Sequence, residues 1–100
     1  IYNITDKFPK SENYIIIDQF RRAAISICLN ISEGYGMSNL QFKRYLRISK
    51  ASVRECIALI TLSRLRGYID IDGERILRSH CLELSKMLSG LINSLNNSQL

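Results

Sequence analysis

The feature that most constrains this chain is a helical register held unbroken from Phe42 to Ser63. Phe42, Leu46, Ser49, Val53, Cys56, Ile60 and Ser63 recur at steps of four and three, the spacing that returns side chains to one face of a helix. A second row, Tyr45, Ile48, Ser52, Glu55, Leu59 and Leu62, runs beside the first. Two adjacent seams make a wide buried face. A helix over 39–66, capped by Ser38 or Asn39, is therefore expected to pack on more than one neighbour.

The same arithmetic predicts two further helices. Over 12–35, Ile16, Phe20, Ala23, Ile27 and Ile31 form an apolar face, with Gln19, Arg22, Ser26, Asn30 and Glu33 as a polar row beside it. Pro9 stops the preceding segment, Ser11 is a plausible cap, and Gly34 and Gly36 supply the left-handed or open conformations that end a helix. Over 72–93, Leu77, Cys81, Leu84, Leu88, Leu91 and Leu95 repeat the pattern after the turn at Gly67. The polar "NSLNNSQL" end is expected to fray. Residues 1–11 read as the end of one element followed by a connection. No strand-length alternation competes, so residues 1–100 are expected to be one all-α domain, an antiparallel up-down four-helix bundle.

Composition narrows the class. With 46% apolar and 23% charged residues the chain is neither a disordered tail nor a membrane protein, and no apolar run approaches the roughly 18 residues of a membrane span. Cys28, Cys56 and Cys81 are odd in number and widely spaced, within apolar helical patterns. They read as three buried free thiols in a reducing cytoplasm. The net charge of +5 favours acidic partners.

Catalysis finds little support. His80 is the one histidine, and Leu77 stands three residues before it, so the Glu-x-x-His pair of a bundle-core metal site is absent. No nucleophile motif or cysteine spacing suggests a metal or cofactor. Glu33 and Glu55 are better read as carboxylates satisfied within the bundle than as an acid/base pair, because an unpaired buried charge costs several kcal/mol. Arg22 and Glu33 are about three turns apart on one helix, so Arg22 is expected to pair across helices with Glu55. The more informative pattern is basic. Lys43, Arg47, Lys50 and Arg54 lie on one helical stripe flanked by Arg44, and no acid interrupts residues 40–54. Such a stripe can follow a phosphate backbone; without interleaved aromatics it does not support base reading.

Two blocks carry a family resemblance. "FPKSENYIIIDQFRRAAISICLNISEGYG" and "FKRYLRISKASVRECIALI" resemble the small bacterial four-helix-bundle proteins first described from intervening sequences of 23S ribosomal RNA genes. Phe8, Pro9, Glu12, Gln19, Arg22, Ala23, Ala24, Ser26, Ile27, Asn30, Ile31, Glu33 and Gly34 match one block, and Ala51, Ser52, Val53 and Glu55 the other. Ser32 replaces a usual alanine and Lys50 a common glycine. The resemblance implies a ring-like homopentamer and a helix before the Phe-Pro turn, with residues 1–7 expected to be its tail and most of it expected to be missing from this chain. It also implies a structural polar signature at Arg22, Asn30, Glu33, Ser52 and Glu55. A similar bundle protein, the accessory variability determinant of diversity-generating retroelements, works with a reverse transcriptase and binds nucleic acid through a basic surface. The expected function is thus a non-enzymatic oligomer binding RNA or DNA non-specifically through Lys43, Arg44, Arg47, Lys50 and Arg54. The alternative is a protein-interaction scaffold, for example for a reverse transcriptase or a ribosomal component.

Overall fold

The computed structural model describes residues 14–97, folded as α1 (Tyr14–Gly34), α2 (Asn39–Leu65) and α3 (Ile71–Asn97). Among the described residues there are three helices and no strand, so the fold is all-α. The expected helix tail at 1–7, the Phe8-Pro9 turn, Glu12 and the Ser11 cap lie outside the described residues. Both α1 and α3 pack on α2, which is the middle helix. Contacts between Gly34 and Phe42 and between Lys43 and Asn96 show that each neighbour runs antiparallel to it.

The wide face of α2 explains that position. Leu46, Val53, Cys56 and Ile60 are completely buried, joined by Ile16, Phe20, Ala23 and Ile27 from α1 and by Leu77, Cys81, Leu88 and Ile92 from α3. Each large side chain in such a core contributes about 1.5–3 kcal/mol through removal from water. Helix boundaries follow local chemistry. The Ser38 hydroxyl accepts from the Gln41 N–H at 3.3 Å, which settles the cap of α2. The Asp70 carboxylate accepts from the Gly73 N–H at 2.7 Å, starting α3 one residue earlier than the spacing predicted. Asp72 and Glu74 in that first turn complement the helix dipole.

Gly34 plays a different part from the one expected. The positive-φ glycines are Gly36, at 88°, and Gly67, at 79°, and these leave the helices. Gly34 is the buried last residue of α1. A Cβ there would lie 2.8 Å from Tyr45 Cβ and 2.9 Å from Phe42 Cδ1. Its missing side chain lets α1 close on α2. The thiols also differ from expectation: Cys56 and Cys81 are buried, whereas Cys28 is exposed, one helical step away from the core stripe of Ile27. Burial, then the neighbouring Cys81 and Glu55, pushes the Cys56 thiol from its ordinary 9.0 up to about 12, and burial raises Cys81 as well. The folded state keeps the Cys56 proton that the unfolded chain releases. That contribution to stability is full below about pH 9 and is lost as the pH rises towards about 12.

Candidate nucleic-acid interface

The basic row of α2 divides when the helices pack. Arg47, Lys50 and Arg54 share the flank of α2 that faces α3, and with Ser89, Ile92 and Asn93 they line an open groove of about 430 Å³. Steps of three and four keep these cations on one stripe, and on α3 the same spacing sets Ser89 and Asn93 opposite them. Arg47 and Arg54 are exposed and Lys50 is half-buried. No carboxylate lines the groove.

Lys43 is not part of this surface. It is 6% exposed, and its ammonium donates to the Asn96 side-chain oxygen at 2.7 Å. The physical reason lies in α3, which continues to Asn97 rather than stopping near 93, so its last turn covers Lys43 and is held there. Of the tail expected to fray, residues 93–97 are helical and residues 98–100 lie outside the described residues. Arg44 is exposed on α2 outside the groove lining. Of the five proposed cations, three line one groove, one is exposed outside it and one is structural.

At the opposite end of this seam the charges are matched. Arg64 Nε lies 2.8 Å from Glu74 Oε1, Arg78 Nη2 lies 3.8 Å from Glu74 Oε2, and Arg78 donates to Thr61 Oγ1 at 2.6 Å. This cluster ties the end of α2 to the start of α3. The groove has cations without such an acid, so its field remains available to an anionic ligand.

The polar signature also splits. Asn30 donates to the Ser26 carbonyl at 2.8 Å and to Ser26 Oγ at 3.1 Å, and Ser26 Oγ lies 2.8 Å from Ser52 Oγ across the α1–α2 seam. Asn30 and Ser52 thus fix that seam. Ser49, which sequence spacing placed in an apolar row, donates to the Ile27 carbonyl at 2.9 Å. Arg22, Glu33 and Glu55 are exposed instead. The expected Arg22–Glu55 pair does not form: Arg22 Nε meets Asp18 Oδ2 one turn back on α1 at 3.1 Å. A charged side chain that reaches water avoids the desolvation cost of an interior pair. Spacing alone did not single out Ser89, Asn93 or Asn96. Their signal was a polar row along α3 next to Leu88 and Ile92, visible only once α2 supplied the facing cations.

His80 is exposed, and among the described residues no three His, Cys, Asp or Glu side chains group as metal ligands. No described helix is long and apolar enough to cross a membrane. The fold and site define a small all-α bundle protein with a cationic groove between two antiparallel helices. Residues 1–90 match the 23S rRNA-intervening sequence protein family, and the chain belongs to that family. The 1.70 Å crystal structure of a protein of unknown function from the S23 ribosomal protein family of Bacteroides thetaiotaomicron is similar, with a TM-score of 0.77. The match has 23% sequence identity and covers 83% of this chain and 78% of that one, a likeness of fold. A search among curated proteins gives no match.

Proposed function

We propose that this chain is a non-catalytic, oligomeric protein that binds the phosphate backbone of RNA or DNA without reading sequence. The observation that carries the proposal is the collection of Arg47, Lys50 and Arg54 in one groove lined by no acid, with Arg44 exposed on the same helix. Cations arranged along a helix can neutralise successive phosphates and release their counterions. A homo-oligomer, a pentamer on the family resemblance, would repeat the groove and raise avidity without any new contact. A four-helix form of the bundle belongs with this reading. Ile25 and Leu29 on α1 and Ile76 and Met87 on α3 are exposed apolar side chains that a further helix would cover.

The test is binding of the full chain to labelled structured RNA and duplex DNA across a salt series. Affinity at or tighter than about micromolar at low salt, falling steeply as salt rises, is the expected result. Replacing Arg47, Lys50 and Arg54 together by glutamine should abolish most of it. No binding at low salt by the assembled oligomer would overturn the proposal.

One observation favours a second reading, a protein-interaction scaffold serving a reverse transcriptase or a ribosomal component. Ala24, Ile25, Cys28 and Leu29 line an almost wholly apolar depression of about 250 Å³ on α1, suited to an apolar partner surface. Capture of such a partner that survives nuclease treatment and the triple glutamine change would support that reading.

A further inference from the structure

We infer that the groove takes the backbone of a double helix rather than an unstacked single strand, with α3 supplying its second wall. This rests on the nucleic-acid reading above and adds the form of the ligand.

The aromatic inventory carries the first half of the argument. Proteins that hold single strands offset the cost of ordering a flexible chain by stacking bases on aromatic rings. No aromatic side chain lines this groove. Tyr14 is exposed at the start of α1, outside the groove lining, and Tyr35 is exposed at the α1–α2 turn with its ring edge-on to Phe42, centroids 6.2 Å apart. Phe20 is buried, and Phe42, Tyr45 and Tyr68 are half-buried. The groove can therefore hold charge and hydrogen-bonding groups but gives a splayed base nowhere to stack.

Geometry carries the second half. At 1.5 Å per residue, Arg47 and Arg54 are about 10.5 Å apart along the axis of α2, with Lys50 between them. That rise matches about three base-pair steps of 3.4 Å along a duplex. Cations fixed along one helix suit phosphates that a duplex already holds in order, because the strand then loses little further conformational freedom on contact. Across the groove, Ser89 and Asn93 add a hydroxyl and an amide, both able to donate to phosphate or sugar oxygens.

The probes are fluorescein-labelled RNA duplex, DNA duplex and unstructured oligo-uridine of equal length, bound to the full chain across one salt series that starts low. Both duplexes are expected to bind at least about tenfold tighter than the single strand. Asn93→Asp places a carboxylate in the groove and should weaken duplex binding and lower the salt slope by about 1, as loss of one phosphate contact would. Circular dichroism of this exposed-site variant checks that the helices persist. Tighter RNA than DNA duplex binding that falls with Ser89→Ala supports the inference with a sugar 2′-hydroxyl contact. Equal binding supports it through phosphate alone. Single-strand binding as tight as duplex binding overturns the inference and leaves the backbone-binding function intact. A silent Asn93→Asp removes α3 from the site and overturns the inference too. Failure of every probe to bind would instead overturn the function on which it rests.

Discussion

The two sides of α2 are built from different polar chemistry. Towards α1 the polar side chains are short: Ser26, Asn30, Ser49 and Ser52 satisfy one another or a backbone carbonyl. Gly34 completes that side by letting the end of α1 meet Phe42 and Tyr45. Towards α3 they are long and charged: Lys43 reaches Asn96, Arg64 reaches Glu74, and Arg78 reaches Thr61. Short groups allow close packing of the two helices. Long groups hold the partner helix at its ends and leave the Arg47–Arg54 groove open between the two clamps. One helix thus carries a seam fixed by short polar groups and a seam clamped at both ends by long ones, with charge presented beside its apolar core.

The strongest way to break this contrast is at the tight seam. Gly34→Val would drive side-chain atoms into Phe42 and Tyr45, against which a Cβ alone already lies within 3 Å. Urea unfolding should show a loss of about 3 kcal/mol. A loss below about 1 kcal/mol would mean that α1 closes on α2 less tightly than the structure shows.

Next in size is the clamp on the other side. Lys43→Ala removes the buried stem and the charge-assisted bond to Asn96, and is expected to cost about 2 kcal/mol. The salt slope for nucleic acid should stay unchanged in folded protein. A variant of native stability with a reduced slope would return Lys43 to the binding surface and dissolve the distinction between clamp and groove.

The smallest effect is the sharpest test of where the charges sit. A double-mutant stability cycle on Arg22→Ala and Glu55→Ala should give coupling within about 0.3 kcal/mol of zero. The Arg22–Asp18 pair is an exposed i,i+4 contact, itself worth only about 0.3–0.5 kcal/mol. Coupling above about 1 kcal/mol would place Arg22 and Glu55 together and make the α1–α2 seam charged after all.

Much of the helical framework was legible in the residues. The Phe42–Ser63 register placed α2 to within one residue at its C-terminal end, and Ile16, Phe20, Ala23 and Ile27 are the α1 core as their spacing implied. The site was legible only in outline. A basic stripe could be read from Lys43 to Arg54, but its polar opposite wall belongs to a helix some forty residues away in sequence, at Ser89 and Asn93. Lys43 went astray for the same reason, since the residue that takes its ammonium is Asn96. Gly34 was assigned to helix termination because a glycine near a helix end has a local explanation ready. Its actual role depends on Phe42 and Tyr45, which only packing brings against it.

Sequence by itself determined what repeats along one helix: the apolar seams, the helix-ending glycines Gly36 and Gly67, and the helical face on which Arg47, Lys50 and Arg54 fall. Those properties depend on a few neighbouring residues and the 3.6-residue turn, so they are written locally. Tertiary structure alone decided which polar side chains turn inward. The serines went to the close α1–α2 seam, Lys43 to Asn96, and Arg22, Glu33 and Glu55 to water. A polar group's place depends on whether a partner from another helix can replace the water it gives up, and that partner has no fixed distance along the chain.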